Sequence, residues 1–479
     1  MGFKTKNLCF QSLSKDYKIG LKDYSGLFEG GIPLKELLLS KNYESDIKSG
    51  TTPSRFNMDY WNGEYDFITL SDVDIITYGL NPSIVDKITD EAINDNNLVL
   101  VPKNSLIISN AMTIGLAFIT DRPVYINQNV FWIKVDDKRV NTTFLLWYIN
   151  LFLRPHFQDL YYSKYLSKLE LSMVHVPNIP IEVQNIAAKR INDILEKIKK
   201  IQQSRITLIE IIDEVFSQHF SLEHDLRNKL HKGMTFGTQS STNTRFSTFT
   251  SSLDQLSKTG TIRLSARSVT PIFSELEEIV KKQGYFSINE IVAEEIHRGK
   301  APTYVSDGEI PVVKTAHLKN GEVLISEEEF VTKSFFESKP LAQVFKGDIL
   351  IASTGKPSIG KVDLMEHDIE MFADSHVTIL RINEDRCLKR FLVYYLWSVL
   401  GCYQIEKEYA GSTDQIEIYP DQIGNIIIPD ISISVQEQII QEIQDKISKQ
   451  SEISTKISQL RNDINKIISD VINAVRLQQ

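Results

Sequence analysis

Two stretches of this chain, one in each half, are diverged copies of one another, and that duplication limits the fold more than any other feature. Val176-Pro177-Asn178-Ile179-Pro180-Ile181-Glu182-Val183-Gln184 closes the first half, and Ile428-Pro429-Asp430-Ile431-Ser432-Ile433-Ser434-Val435-Gln436 closes the second. The interval from Pro to Gln is the same, Pro177 to Gln184 and Pro429 to Gln436, and both copies run into an Ile-rich helical repeat. A chain built twice from one plan presents two similar surfaces. That is the geometry expected of something that reads two places at once.

The duplication extends upstream in a shared order. Ile32-Pro33-Leu34-Lys35-Glu36-Leu37 answers to Phe286-Ser287-Ile288-Asn289-Glu290-Ile291, and Gly50-Thr51-Thr52-Pro53-Ser54 to Gly299-Lys300-Ala301-Pro302-Thr303. Tyr65-Asp66-Phe67-Ile68-Thr69 and Ile310-Pro311-Val312-Val313-Lys314 have strand composition. Lys103-Asn104-Ser105-Leu106-Ile107-Ile108 matches Lys346-Gly347-Asp348-Ile349-Leu350-Ile351, each followed by a polar loop and Ile-Gly (Ile114-Gly115, Ile359-Gly360). Phe144 to Tyr148 matches Phe391 to Tyr395 as a packed helix.

Each half therefore reads as an α+β unit of short strands and turns followed by a long helix. In the first helix Ile191, Ile198, Arg205 and Ile212 share one heptad position, and Ile194, Ile201, Leu208 and Val215 the other core position. In the second, Ile440, Ile447, Ser454, Arg461 and Ile468 alternate with Ile443, Gln450, Ile457, Ile464 and Val471. Either each helix lies on its own domain's core, or the two pack on each other. A seam kept for several turns, twice, favours an antiparallel coiled coil whose register is helped by Arg205, Gln450, Ser454 and Arg461. Between the halves, from Gly233 to Thr270, the chain is rich in Ser and Thr, as expected of an irregular crossing. The expected boundaries are an N-terminal extension (1–28), a first globular domain (29–180), a first spacer helix (181–220), a linker and connecting segment (221–284), a second globular domain (285–430) and a second spacer helix (431–479).

Bulk composition excludes little but usefully. The 479 residues are enough for two or three domains, and 42% hydrophobic with 24% charged residues is ordinary for a soluble protein. A net charge of −9 argues against a surface that wraps nucleic acid all round, but leaves room for a local basic groove. Cys9, Cys387 and Cys402 form no metal or redox pattern, and no apolar run is long enough for a membrane span. The start lacks a signal-peptide core, so a cytoplasmic location with no membrane partner is expected.

No catalytic constellation stands out. Asn81-Pro82-Ser83-Ile84 superficially resembles the Asn-Pro-Pro-aromatic loop of amino-methyltransferases, but the second Pro and the aromatic are missing. There is no Walker-type loop, and the nine histidines show no His-Glu-x-x-His spacing and no pairing with Cys. Ser353-Thr354-Gly355-Lys356 lacks the glycine framework of a phosphate cradle and reads as a polar turn after a buried strand. No metal site and no catalytic residue is expected. A chain of this size without an active site is read as a reader or a scaffold.

Function is then expected in the loops between the repeated motifs. Lys300, Thr303, Tyr304, Lys314, His317 and Lys319 crowd one region of the second half. Ser353, Thr354, Lys356, Ser358 and Lys361 form another, and Ser412, Thr413 and Gln415 a third. In the first half the candidates are Thr51, Thr52, Ser54, Arg55, Asn57, Asn110 and Thr113. Lys donates to phosphate or guanine, Gln pairs with adenine, and Ser and Thr bond either, so together these are side chains suited to DNA. Each residue alone is equally a solvated loop position.

The chain resembles the specificity (S) subunits of type I restriction–modification systems over nearly its whole length. The resemblance is carried by Phe345-Lys346-Gly347-Asp348-Ile349-Leu350-Ile351-Ala352, then Ile359-Gly360-Lys361, Gly411-Ser412-Thr413-Asp414-Gln415, and Ile428-Pro429 with Gln436 and Ile439. The first half adds Gly50 to Ser54, Tyr60-Trp61 and Pro177 to Gln184. It implies two target recognition domains reading a bipartite site in double-stranded DNA. The paired helices would space the domains and dock two methyltransferase (M) subunits, with restriction (R) subunits joining. It also implies that this chain binds no cofactor. S-adenosylmethionine, ATP and Mg are expected on the partners, which would flip and methylate adenine at N6 and carry out ATP-driven cleavage. A helix from Ile181 to Phe216 would be roughly 50 Å long at about 1.5 Å per residue, more than a DNA turn of about 34 Å. The counterpart of the Gly411–Gln415 loop in the first half is degraded, around Ser167-Lys168-Leu169-Glu170. Three other readings fit the residues: the specificity partner of a type II fused methyltransferase–nuclease, a coiled-coil scaffold that does not touch DNA, and a degenerate antiviral enzyme.

Overall fold

The same strand pairings occur twice along this chain. The structure, a computed structural model, describes residues 31–160, 165–222, 271–411 and 416–476. The expected N-terminal extension, most of the linker, and Ser412, Thr413 and Gln415 lie outside the described residues. The chain divides into two compact units, Met1–Arg205 with Ile453–Gln479, and Ile206–Glu452.

In the first unit one sheet has the order Ile47–Ser49, Val130–Ile133, Leu106–Ser109, Ala117–Ile119, all antiparallel. A second has the order Lys87–Ile88, Trp61–Ile68, Val124–Ile126, Val99–Val101, with Val124–Ile126 parallel to Trp61–Ile68. Ile32–Pro33 pairs with His175–Val176. The second unit repeats the plan. Its first sheet runs His297–Arg298, Val377–Leu380, Ile349–Ala352, Val362–Leu364. Its second runs Phe330–Val331, Ile310–Val313, Met371–Ala373, Gln343–Val344, again with one parallel pairing. Tyr285–Ser287 pairs with Ile427–Pro429. Leu106–Ser109 and Ile349–Ala352 are buried at every position, which is why they read as unbroken apolar runs rather than alternating ones.

Backbone details agree at the sequence matches. Asn104 and Gly347 both take a left-handed conformation (φ 63° and 92°), and their amides donate to Thr120 and Met365 carbonyls, each at 2.7 Å. Gly50 and Gly299 sit so close to the last residue of a parallel-paired strand that a Cβ would strike Ile126 O and Ala373 O. Gln184 and Gln436 are equivalent buried clamps. Gln184 Oε1 accepts from Asn141 N (2.9 Å) and Gln436 Oε1 from Leu388 N (2.8 Å). Their Nε2 atoms donate to Ile179 O (2.8 Å) and Ile431 O (3.1 Å), with second bonds to Arg139 O and Arg386 O. The Pro-to-Gln signature is thus a joint that fixes how each spacer helix leaves its domain.

The helices depart from expectation at one point. No single helix spans 181–220: one runs Ile181–Gln202 and another Leu208–Phe220. Thr207 and Glu210 form a capping box at the restart, with Thr207 N donating to Glu210 Oε2 (2.6 Å) and Glu210 N to Thr207 Oγ1 (3.2 Å). The 22 residues of the first piece span about 33 Å, not the roughly 50 Å expected of an unbroken helix. The continuous helix is the last one, Ile433–Arg476, of 44 residues.

In the first unit Ile191, Ile198, Ile457, Ile464 and Ile468 are buried in one core, with Ile194 and Ile201 packed against it. Arg461 leaves the seam. It donates to Tyr78 Oη (3.1 Å) and lies 5.3 Å from that ring. In the second unit Ile212 and Ile443 are buried, with Leu208 and Ile447 alongside. There Leu208–Phe220 is antiparallel to the start of the long helix: His219 bonds Glu442 (3.1 Å), Lys446 bonds Glu214 (2.9 Å), and Gln450 Oε1 accepts from Ile206 N (3.3 Å). Each buried Ile contributes about 1.5–3 kcal/mol. Among the described residues no helix is long and apolar enough to cross a membrane.

Candidate nucleic-acid interface

Several of the candidate loops meet at one edge of each unit, where a short polar insert joins two strands. In the second unit the insert is Asp374-Ser375-His376. Asp374 Oδ1 accepts from His376 N (2.8 Å), and His376 O accepts from Ser353 N (2.9 Å). Ser353 O accepts from Ile418 N (2.9 Å), and Gly355 N donates to Ile416 O (3.0 Å). The loop after Ile349–Ala352, the insert, and the base of the segment carrying residues 412–415 are thereby brought together. Gly299, whose amide donates to Val377 O (2.9 Å), brings Lys300 to the same edge.

The first unit repeats this frame with different side chains. Asn127 Oδ1 accepts from Asn129 N (2.8 Å), Asn129 O from Asn110 N (2.9 Å), and Asn110 O from Leu166 N (2.9 Å). Leu166 is therefore the counterpart of Ile418. The capping boxes Ser167–Glu170 and Tyr419–Gln422 then coincide. This corrects the expected match of Ser167-Lys168-Leu169-Glu170 to the Gly411–Gln415 loop. With Leu166 matched to Ile418, the counterpart of Gly411–Gln415 falls at 159–163, most of it outside the described residues.

Two candidates turn out to be frame, not surface. Ser353 is fully buried, its hydroxyl bonded to Thr378 Oγ1 and Ile351 O. Asn110 is likewise fully buried, with Nδ2 donating to Gln128 O (3.1 Å) and Tyr165 Oη (2.9 Å). Neither side chain is available to a base. Others are partly committed. Arg55 is paired fork-to-fork with Asp86 and stacked 3.7 Å over Trp61, whose Nε1 donates to Ser54 O (3.0 Å). The hydrogen bonds Arg55 donates to Asp86 raise its already high pKa. Lys314 bonds Glu329 (2.5 Å) and lies 4.7 Å from the Tyr304 ring. His317 accepts from Lys314 N (3.2 Å), and burial pushes its pKa below the usual histidine value. Lys361 reaches Ser358 Oγ (3.4 Å). Asn57 caps a short turn by accepting from Asp59 N (3.2 Å).

The remaining candidates are open. Lys300, Lys319 and Lys356 are exposed and have no ion-pair partner among the described residues. Thr51, Thr113 and Thr303 are exposed, and Thr52 bonds Gln128. Thr354 Oγ1 lies 2.6 Å from His376 Nδ1. The polar inserts themselves were missed by sequence reasoning, which weighed His376 only as a metal ligand or catalyst. Their signal was a repeated interval: three polar residues between two apolar strands in each half. Among the described residues no cluster of His, Cys, Asp or Glu is arranged to hold a metal ion.

Residues 45–211 and 282–462, more than half of the chain, match the family model of the type I restriction modification DNA specificity domain. The chain belongs to that family. It is a type I restriction–modification specificity subunit by family, with two copies of the specificity domain, and DNA recognition is what that family implies. Among solved structures it is similar to the S subunit of a type I restriction-modification system from M. genitalium (12% identity, covering 95% of this chain and 98% of that one, TM-score 0.41). It is also similar to a chain of a type I R-M system described for its complex assembly and conformational transition (12%, 93% and 96%, 0.45). A third is the HsdS subunit from Thermoanaerobacter tengcongensis (11%, 92% and 95%, 0.33).

Proposed function

We propose that each unit of this specificity subunit reads one part of a bipartite double-stranded DNA target. In this reading the Ile-lined helices dock two methyltransferase subunits, and restriction subunits join that assembly. The carrying observation is the loop-bearing edge: one hydrogen-bond frame, built twice, holds unlike polar side chains at equivalent positions. Unlike polar side chains on one shared main-chain frame suit two units that read different bases. In this reading Lys300, Lys319 and Lys356 would meet phosphates, and Thr303 and Thr354 base edges. Binding through one local cationic edge also suits a chain whose net charge is −9.

The chemistry belongs to the partners. S-adenosylmethionine would be bound by the methyltransferase subunits, which flip and methylate adenine, and ATP and Mg by the restriction subunits. This chain supplies address, not turnover. The test is to express the chain with its methyltransferase partner and map methylated adenines in genomic DNA. The expected result is one bipartite motif, with binding of matched duplex in a gel shift that weakens steeply with salt. Methyl transfer or nuclease activity by the isolated chain would overturn the division of labour. A complex that binds all duplexes alike would overturn the reading itself.

A further inference from the structure

We infer that His376, held by Thr354, is a base-reading side chain of the second unit, and that Asn129 occupies the same reading position in the first. The inference rests on the DNA-reading function proposed above and names residues within it. His376 is exposed, yet it is fixed on three sides. Its amide donates to buried Asp374 (2.8 Å), its carbonyl accepts from Ser353 N (2.9 Å), and its ring Nδ1 meets Thr354 Oγ1 at 2.6 Å. The ring's other nitrogen, Nε2, has no hydrogen bond among the described residues. A side chain clamped through one nitrogen and open at the other is pre-organised to bond a ligand, because little rotamer freedom remains to be lost on contact.

The first unit supplies the independent observation. Its turn is closed by the same bonds, Asn127 Oδ1 to Asn129 N and Asn129 O to Asn110 N. Asp374 and Asn127 are both buried and do the same job, so acid and amide are interchangeable for the frame. The bonds that close the turn use only the main chain of the third insert residue in both units; the His376 ring adds its contact with Thr354. Nothing in the frame requires His at one and Asn at the other, so the difference marks what each unit presents outward. When the Thr354 hydroxyl donates to Nδ1, Nε2 carries the proton and donates. The matching major-groove acceptors are purine N7 and guanine O6, and guanine offers both side by side. Asn129 carries a carboxamide, whose paired donor and acceptor match adenine N6 and N7. The two units would then favour different bases at the equivalent point of their half-sites.

The experiment uses the complex with the methyltransferase partner, methylation mapping of genomic DNA, and gel shifts on duplexes that differ by one base pair. His376→Ala is expected to relax one position of one half-site, lowering discrimination there about fivefold or more, with the other half-site unchanged. Thr354→Val should relax the same position to a smaller extent, because the ring loses its clamp. Asn129→Ala should relax one position of the other half-site. Melting curves of each variant check that the fold is kept. An unchanged motif in His376→Ala, or a uniform loss of binding on every duplex, overturns the inference while leaving the proposed function standing. Failure of the unaltered complex to mark any bipartite motif would instead sink the reading beneath it.

Discussion

The two units share a hydrogen-bond frame but not the material inside it. Phe118 and Asp363 stand at the same place, paired across from Ile107 and Leu350, and both are buried. In the first unit the site is filled by an aromatic ring. In the second a carboxylate accepts from Asn320 N (3.0 Å) and Gly321 N (2.5 Å), the tip of a turn. Likewise, Ser105 and Lys134 in the first unit answer to Asp348 and Arg381 in the second. Arg381 bonds Asp348 twice at 2.7 Å, while Lys134 lies 4.6 Å over Trp132. The loop-bearing edges differ too: the first unit's candidate cation, Arg55, is neutralised by Asp86, whereas the second offers Lys300 and Lys356 with no ion-pair partner among the described residues. Each unit has therefore settled its own interior. The main-chain frame is what the duplication preserves.

Exchanging residues between the units is the sharpest way to break that comparison. Phe118→Asp should cost the most. It leaves a cavity and an unpaired carboxylate where no turn amides wait, a loss of at least about 4 kcal/mol. Soluble yield and thermal melting would register it, and a variant as stable as the parent would show that the two sites are not separately adapted. Asp348→Ser, which installs the first unit's residue, should cost about 3 kcal/mol, because Arg381 keeps only Glu294 as a charge partner. Arg381 is a quarter exposed, which holds the cost at the low end. Adding Arg381→Lys should not restore stability, since an ammonium cannot keep the guanidinium's bonds to both Glu294 and Gln343 O.

The sequence made the frame legible and hid its interruptions. Gly50 and Gly299, Lys103 to Ser105 and Lys346 to Asp348, and the Pro-to-Gln joints aligned by residue type because backbone geometry demanded those types. The break at 203–207 stayed hidden because heptad spacing counts side chains and passes over the main chain. The heptad runs through Arg205 without a skip. Thr207-x-x-Glu210 was nevertheless a readable helix start. The counterpart of the Gly411–Gln415 loop was misplaced because Ser167-x-x-Glu170, a helix cap, was taken for loop. Asp374 and His376 were passed over because a lone polar residue beside a strand has no signal until its repeat partner is aligned.

The buried Asp363 also separates the units by pH. Burial pushes its pKa up to about 6 from 3.8, against the bonds from Gly321 and Asn320 amides. A carboxyl whose folded value lies above its unfolded value favours the fold at low pH. That support is fully present below about pH 4 and is lost as pH rises through about 6. Melting temperature should therefore decline between about pH 4 and 6, and Asp363→Asn should flatten the decline. Phe118 gives the first unit no such slope. An unaltered slope in the Asn variant would place the titration elsewhere.

The smallest effect tests whether the frame or its residues were duplicated. Asn104 and Gly347 occupy the same left-handed position, at φ 63° and 92°. If only conformation matters there, the second unit should accept the first unit's residue. Gly347→Ala should cost about 1 kcal/mol, because a Cβ crowds the carbonyl in this region. Sterics beyond the backbone are mild: the nearest atom to an added Cβ is the flexible Lys389 Nζ, at 3.2 Å. Gly347→Asn should cost less than the Ala change, since Asn tolerates left-handed backbone by bonding locally. Urea midpoints at constant slope would resolve the difference. If Asn proved no better than Ala at 347, then Asn104 owes its place to something other than its backbone. The match between the two motifs would then be coincidence at that residue.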